Sequence, residues 1–111
     1  MVSAAAKPGR EAEFNDFYDR QHIPDVLKSP GFRSCRRLRA LEEPPLAGHY
    51  VALYEIESDN PEASVRQLYS LLGTDAMPPN PATDRSQTRV TLYEILSEHK
   101  SVPAAEAGLG Q

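Results

Sequence analysis

Hydrophobic residues recur with helical spacing near the start of this 111-residue chain, in the segment REAEFNDFYDRQHI at 10–23. Phe14, Phe17 and Tyr18 fall on one stripe, whereas most of the charged side chains fall elsewhere. A stripe of this kind is typical of a helix that lies on the surface and packs one side against the core. The pattern therefore predicts a first helix over residues 10–23.

A second helical pattern covers DNPEASVRQLYSLLG at 59–73. Asp59 or Asn60 can cap this helix at its start, Pro61 suits its first turn, and Gly73 suits its end. The residues that we expect to form its buried stripe are Val65, Leu68, Tyr69 and Leu72.

Four segments have the composition of strands. The first is MVSAAA at 1–6, which ends at the turn residues KPG. The segments GFRSCRRLRAL at 31–41 and GHYVALYEIES at 48–58 are rich in strand formers, and the breaker segment EEPPLAG joins them, so we expect an antiparallel pair. The fourth is QTRVTLYEILSEH at 87–99, which follows a proline-rich loop at 74–86.

In chain order these elements form β-α-β-β-α-β, the ferredoxin-like split plan, which predicts an α+β fold with a four-stranded antiparallel sheet and two helices on one face. The other face of the sheet is then open. The strand at 48–58 has Tyr50 and Tyr54 on one side and Val51 and Leu53 on the other, so both of its faces need apolar cover. We therefore expect a homodimer joined through the open sheet faces, which is a dimeric α+β barrel.

Composition and charge narrow the class of protein. A chain that is 40% hydrophobic and 25% charged fits one globular domain, which we place at residues 1–99, with a flexible C-terminal tail at 100–111. The net charge of −4 argues against nucleic-acid binding. Cys35 has no second cysteine to pair with and no apolar run is long enough to cross a bilayer, so we expect a cytoplasmic protein without a membrane partner.

The segment FYDRQHIPDVLKSPGF at 17–32 carries the candidate chemistry. Tyr18 and His22 are four residues apart and share one helical face, and Asp25 lies three residues further on. Pro24 has no N–H to donate and disfavours helical angles in Ile23, so we expect a kink or a fresh start directly after His22, and Pro24 could then be the first residue of a short helical turn, PDVLKS. A break of this kind tends to face a cavity or solvent.

Histidine at such a break suits general acid or base catalysis, because its unperturbed pKa is about 6.5. In this interpretation His22 moves a proton, Tyr18 donates a hydrogen bond, and Asp25 or Asp19 orients the imidazole. In the alternative interpretation His22 fixes the helix break and Tyr18 packs as part of the core.

Other residues are candidates for substrate binding or covalent chemistry. Tyr50 and Tyr54 share one strand face and, with Arg37, could contact an aromatic or polyketide-like ligand; equally, the tyrosines could be core or interface residues. Cys35 could be a nucleophile activated by nearby arginines or a small buried filler. The spacing of histidine and cysteine predicts no metal site, and no nucleotide-binding loop occurs, so we expect no cofactor.

The segments PGREAEFNDFYDRQHIPDVLKSPGFRSCRRLRA and YVALYEIES together resemble the EthD-like branch of the dimeric α+β barrel superfamily. Members of that branch share a YDxxHxPD…PGF segment, then an arginine-containing strand and a Y-x-ALYE strand. The resemblance covers residues 7–57 and implies the fold and the homodimer described above. Relatives in the superfamily include polyketide cyclases, lactone isomerases, cofactor-free monooxygenases, chlorite-handling haem enzymes and proteins with no established activity.

Two functions fit these observations. The first is a small-molecule enzyme, a cyclase, isomerase or lyase, that applies acid/base chemistry to an enolisable, aromatic or polyketide-like compound without a metal or nucleotide cofactor. The alternative is a non-catalytic ligand-binding or accessory homodimer in a catabolic or biosynthetic pathway. Both predict an internal pocket.

Overall fold

The computed structural model describes residues 1–41 and 49–102. Its elements in chain order are β1 (Val2–Ala6), α1 (Glu11–Phe17), a π-helical segment (Tyr18–His22), α2 (Ile23–Leu27), β2 (Phe32–Arg39), β3 (His49–Ile56), α3 (Pro61–Leu71) and β4 (Thr83–Val90). The predicted breaker segment and most of the predicted tail lie outside the described residues.

The four strands form one sheet in the order β2-β3-β1-β4, and every neighbouring pair is antiparallel. This is the ferredoxin-like arrangement, so the predicted α+β fold class is confirmed. The central strand β1 consists largely of alanine, and Ala4 and Ala6 belong to the same buried cluster as Phe14 of α1. Small residues on the central strand let the large Phe14 ring lie close to the sheet, where none of its surface is exposed.

The helices pack on one face of the sheet, as predicted. Val26 of α2 and Leu68 of α3 share a buried cluster with Phe32 of β2, and Tyr54 of β3 packs against it. On the opposite face Leu38, which pairs with the half-buried Val51 of β3, is 46% exposed. The face away from the helices therefore carries exposed apolar side chains, while its burial by a second copy stays a prediction.

The last strand differs from the prediction. It spans Thr83–Val90 rather than residues 87–99, so it takes in the end of the predicted loop and leaves out the segment TLYEILSEH. Pairing with β1 sets these bounds, because the register runs from Ala6↔Thr83 to Val2↔Val90. Among the described residues the β1–β4 ladder ends at Val2↔Val90, and a strand pattern without a partner forms no ladder.

The second predicted helix, α3, begins close to where it was predicted, but fewer of its apolar side chains are buried than predicted. The Asn60 side chain accepts a hydrogen bond of 3.1 Å from the Ala63 N–H, which caps the helix. Leu68 is buried, but Tyr69 and Leu72 are 45% and 40% exposed. The predicted stripe is therefore wrong at these two positions, because both line a large cavity rather than a packed core.

Candidate functional site

The helix that carries the candidate residues passes through a π-helical turn and begins a new α-helical segment directly after His22. His22 and Ile23 keep right-handed helical angles, and the Ile23 N–H donates to the Tyr18 carbonyl, five residues back. A regular α-helix at this point would press the proline ring against the carbonyl of Arg20. The wider π turn relieves that contact and Pro24 then sits in the first turn of α2, where no N–H is needed. The predicted fresh start after His22, with Pro24 in the first turn, is therefore present as α2, whereas the expectation that Ile23 leaves helical angles is wrong.

The π turn brings the Tyr18 and His22 rings together. Their centroids are 5.0 Å apart and the planes meet at 69°, which is an edge-to-face contact. Tyr18 is buried, and burial raises the pKa of its hydroxyl, an effect that the charge of Arg37 opposes. The phenol is therefore neutral and can donate a hydrogen bond at neutral pH.

Arg37 of β2 holds Tyr18 from the other side. Its guanidinium carbon lies 4.8 Å from the centroid of the Tyr18 ring and 5.6 Å from that of Tyr50. One nitrogen donates to Asn15 Oδ1 at 2.6 Å, and another lies 3.2 Å from Asp19 Oδ1. Its charge is thus engaged by aromatic faces, an amide and a carboxylate. Together with Phe14, whose centroid is 5.9 Å from the guanidinium carbon, these residues form what we call the Arg37 cluster: Phe14, Tyr18, Arg37 and Tyr50.

His22 is half-buried and has an environment that favours its neutral form. Burial lowers the pKa of the imidazole, and the nearby Asp25 carboxylate partly opposes this effect. Among the described residues the ring takes part in no side-chain hydrogen bond and contacts Tyr18 through its edge. A neutral imidazole without an internal partner is free to accept a proton from a bound molecule.

Asp25 is buried at the start of α2, and its partners come from its own helix. Oδ2 accepts a 2.7 Å hydrogen bond from the Gln21 amide, and Oδ1 is 3.7 Å from the Lys28 ammonium. The carboxylate acts on His22 through its charge, since the hydrogen bonds go elsewhere. Asp19, the other residue proposed to orient the ring, is engaged by Arg37.

A cavity of about 1260 Å³ opens between the helices and the sheet and reaches His22. Six side chains that define its inner walls are Tyr18, His22, Val26, Tyr54, Leu68 and Met77. Pockets that hold one small molecule usually measure about 300–1000 Å³. This cavity, which we call the His22 cavity, is therefore large enough for an aromatic ligand and has room to spare.

Tyr54 places a polar atom of special interest among these walls. Its hydroxyl is buried and forms no well-aligned hydrogen bond with the described residues, although the Cys35 thiol lies close enough to contribute to the raised pKa of the phenol. Burial also raises the pKa of this phenol far above its ordinary value, so it keeps its proton. A buried donor without a well-aligned partner is costly to a fold, so this hydroxyl would gain from a hydrogen bond to a ligand oxygen that came within its reach.

Cys35 of β2 pairs with Tyr54 of β3 in the sheet and is half-buried. Burial raises the pKa of its thiol, and the neighbouring Tyr54 hydroxyl and the charge of Arg37 only partly oppose that effect. The thiol is therefore protonated at neutral pH, which favours the filler interpretation over the nucleophile interpretation.

The structure brings together some of the predicted site residues. Tyr18, His22 and Tyr54 line the His22 cavity, whereas Arg37 and Tyr50 pack in the Arg37 cluster, and Asp25 bonds within its helix. Sequence reasoning missed the fully buried Met77, which comes from the proline-rich loop. A lone methionine in a loop gives no periodic signal, so no pattern could have placed it in this wall.

The described residues contain neither a cluster of metal-binding side chains nor a helix that could span a membrane. Within residues 1–41 and 49–102, no group of three histidine, cysteine, aspartate or glutamate side chains is arranged to hold a metal ion. None of the helices in the same ranges combines the length and the hydrophobicity of a membrane span.

Comparison with known proteins gives one structural match. No protein-family model and no curated protein sequence matches the chain. Among solved structures, the chain is similar to the crystal structure of an ethyl tert-butyl ether D (EthD) family protein from Bacillus halodurans C-125. The alignment covers 86% of this chain and 95% of that one, with 16% sequence identity and a TM-score of 0.46.

Proposed function

We propose that the protein is a small-molecule enzyme, a cyclase, isomerase or lyase, which uses His22 to move a proton on an enolisable, aromatic or polyketide-like compound. The observation that carries the proposal is the half-buried imidazole in the wall of the His22 cavity, with a lowered pKa. A base of this kind is neutral at pH 7 and available to a ligand. The reaction in this proposal uses neither a metal nor a nucleotide cofactor.

The chemistry divides between two polar groups in the cavity. His22 takes a proton from a carbon next to a carbonyl group, and the electron pair of that C–H bond moves to the carbonyl oxygen to give an enolate. The Tyr54 hydroxyl, which has no well-aligned hydrogen bond among the described residues and lies beside the Cys35 thiol, donates a hydrogen bond to this oxygen. His22 then returns the proton to another carbon in an isomerisation, or to the new oxygen after ring closure by carbon attack on a second carbonyl.

Tyr18 and Asp25 support His22 in this proposal. Tyr18 fixes the ring plane through the edge-to-face contact and presents a second neutral hydroxyl to the cavity. Asp25 favours the imidazolium that forms when His22 accepts a proton, because its charge raises the pKa of the ring. In this proposal Arg37 and Tyr50 do not contact the substrate, because the guanidinium already binds Asn15 and Asp19 and lies over the Tyr50 ring.

The cavity walls also define the class of ligand. Apolar side chains from α2, α3 and the loop before β4 dominate the interior: Val26, Val65, Leu68 and Met77. Such walls favour a flat or compact apolar ligand that carries one or two carbonyl or hydroxyl oxygens.

We further propose that two copies associate through the open sheet faces. Leu38 and Leu53, which are 46% and 40% exposed, lie with Val51 on the side of the sheet that no helix covers. Association of this kind would bury these side chains and form the dimeric barrel. Leu38→Lys should weaken this contact and leave the His22 cavity unaltered, because Leu38 does not line it.

Proton exchange of an enolisable probe tests the catalytic proposal directly. The purified protein is incubated in D₂O with 2-tetralone, an aromatic ketone, and loss of the α-proton signal is followed by NMR. We expect exchange faster than in buffer, and His22→Gln should slow it by about 10²–10⁴-fold. The matched control is His99→Gln, which changes an exposed histidine outside the cavity.

Three results are informative. Equal exchange rates for the wild type and His22→Gln, with both folded by circular dichroism, would refute the role of His22. Probe binding without any exchange would support the alternative, a non-catalytic ligand-binding homodimer. If the probe binds without exchange, its affinity can be measured between pH 5 and pH 8. An affinity that changes with pH in the wild type but not in His22→Gln would show that the imidazole contacts the ligand.

A further inference from the structure

Strand β4 departs from the sheet ladder beside the His22 cavity. Its register with β1 passes from Ser3↔Arg89 to Ala5↔Asp84, so the four residues 85–88 lie opposite a single residue of β1. An ordinary bulge places two residues opposite one. Residues 85–88 therefore contain more chain than the ladder can pair, and we call them the β4 bulge.

A local turn begins the β4 bulge. Asp84 Oδ1 accepts a hydrogen bond from the Ser86 N–H at 3.1 Å and another from the Ser86 hydroxyl at 2.7 Å. An aspartate that binds the backbone two residues further on forms a turn of its own, which competes with regular strand pairing. The sequence around Asp84 thus specifies the bulge, and a bulge beside a site can redirect side chains toward it.

The β4 bulge supplies two side chains to the mouth of the His22 cavity. Arg85 and Thr88 both belong to the lining of the cavity, and both are exposed. Among the described residues, Arg85 is the one arginine or lysine in this lining, and it forms neither a salt bridge nor a side-chain hydrogen bond. The guanidinium of Arg37, in contrast, is already bound by Asn15 and Asp19. The charge of Arg85 is therefore available to a ligand.

The acidic side chains of the lining lie at the other end of the sheet. Those among the described residues are Glu55, Glu62 and Glu94. Asp84 pairs with Ala5, and Glu55 lies six residue positions beyond Ala5, three along β1 and three along β3, which corresponds to about 20 Å. Because β3 and β4 run in the same direction, they end at the same end of the sheet, and Glu62 and Glu94 follow those ends. Salt screens most of the interaction between exposed charges that are this far apart.

We infer that Arg85 binds a carboxylate group of the ligand, so that the substrate is a keto acid rather than a neutral ketone. This inference rests on the proposed function, since it names the class of compound on which His22 acts. A planar guanidinium donates two parallel hydrogen bonds to a carboxylate, and the Thr88 hydroxyl can donate a third. The carbonyl group of the same compound then lies deeper in the cavity, where His22 and Tyr54 are.

The charge of the chain and the size of the cavity agree with this class of ligand. The net charge of −4 opposes the binding of an anion in general, so an acid needs a positive charge close to its carboxylate. Arg85 supplies that charge at the end remote from the glutamates. The volume of about 1260 Å³ exceeds what one small compact ligand needs, which leaves room for carbon atoms between the carbonyl group and the carboxylate.

A pair of probes with the same shape and different charge tests the inference. The acid is 4-oxo-4-phenylbutanoate, an enolisable aromatic keto acid, and the neutral probe is the corresponding primary amide. Isothermal titration calorimetry at pH 7 and low salt measures the affinity of each. We expect the wild type to bind the acid at least about threefold more tightly than the amide, and high salt to reduce this preference.

Arg85→Gln should weaken binding of the acid at least about threefold and leave the affinity for the amide unchanged, and Arg85→Lys should retain part of the preference. The matched control is Arg89→Gln, which removes the same charge from the same strand outside the cavity lining and should behave as the wild type. Circular dichroism checks that each variant is folded.

The outcomes separate this inference from the proposed catalysis. Failure of the wild type to bind the acid, equal affinities for acid and amide, or equal losses in Arg85→Gln and Arg89→Gln would overturn the role of Arg85. His22-dependent proton exchange of the neutral 2-tetralone could still hold in each of these cases. Conversely, a preference for the acid that is lost in Arg85→Gln supports the inference even where no probe exchanges a proton, a result that would count against the catalysis alone.

Discussion

The Arg37 cluster and the His22 cavity lie on either side of Tyr18, and they differ in whether their polar groups have hydrogen-bond partners. In the cluster, the guanidinium of Arg37 has an amide partner, a carboxylate partner and aromatic faces within 6 Å. In the cavity, the Tyr54 hydroxyl is buried without a partner and the His22 imidazole forms no side-chain hydrogen bond among the described residues.

This difference separates the part of the molecule that stabilises the fold from the part that can bind. A polar group whose hydrogen bonds are complete has little to offer a ligand, whereas an unsatisfied one gains by meeting a ligand. Tyr18 belongs to both regions, because one side of it meets Arg37 and the other meets His22. The four predictions below test this division, beginning with the largest effect.

Phe14→Ala should be the most destabilising change. Phe14 is completely buried in the cluster, and its truncation leaves a void in a closed core, at a cost of about 3–5 kcal/mol in the free energy of unfolding. Leu72→Ala in the cavity wall should cost about 1 kcal/mol or less, since that side chain already faces open space. Urea denaturation measures both, and equal costs would mean that the two regions do not differ in packing.

Arg37→Met should destabilise the fold by about 1–2 kcal/mol. The substitution keeps an apolar side chain of similar length but deprives Asn15 and Asp19 of their donor and the aromatic rings of their cation. Arg36→Met, at the exposed neighbour on the other face of β2, is the control and should change stability by less than about 0.5 kcal/mol. A similar loss in both variants would contradict a special role for Arg37.

Tyr54→Phe should leave stability unchanged or raise it by up to about 1 kcal/mol. The lost hydroxyl has no partner among the described residues, so its removal spares the fold a desolvation cost. The same change should weaken binding of 2-tetralone, which separates a binding role from a stabilising one. Tyr69→Phe, at an exposed tyrosine of α3, is the control for the stability measurement. A loss of stability in Tyr54→Phe would reveal a hydrogen bond that contradicts the division.

The pH dependence of stability should show a small effect of His22. Because burial lowers the pKa of the folded imidazole below its unfolded value of about 6.5, the unfolded chain takes up the proton first as the pH falls. The contribution of His22 is therefore complete above pH 6.5, decreases as the pH falls below it, and levels off below the folded-state pKa. Unfolding free energies between pH 5 and pH 8 should differ less in His22→Gln than in the wild type, and an identical slope would contradict the lowered pKa.

The element order followed from the sequence because periodicity and turn residues are local signals. Asn60, Pro61 and Gly73 marked the second helix correctly, and the alternation around Tyr54 marked a strand with two apolar faces. Tyr18 and His22 were placed on one face by their spacing alone, and the rings do touch.

What the sequence did not reveal depends on contacts between distant segments. The Arg37 cluster joins α1, β2 and β3, so no local pattern contains it. The end of β4 is set by where β1 stops pairing, and the strand pattern of residues 92–96 takes no account of that limit. Pro24 indicated that the helix is distorted near residue 22. The local propensities of Ile23 and Pro24 do not decide whether the helix is interrupted there or forms a wider π turn.

The π turn at Tyr18–His22 fixes the rotational phase between the two halves of the helix. One residue corresponds to about 100° of rotation around an α-helix. If the same residues formed an ordinary α-helix instead of the π turn, Val26 and the remainder of α2 would be rotated by about that angle relative to α1. Val26, which is now buried in the core, would then point toward solvent. The one extra residue in the π turn therefore determines which surface of α2 packs against the sheet.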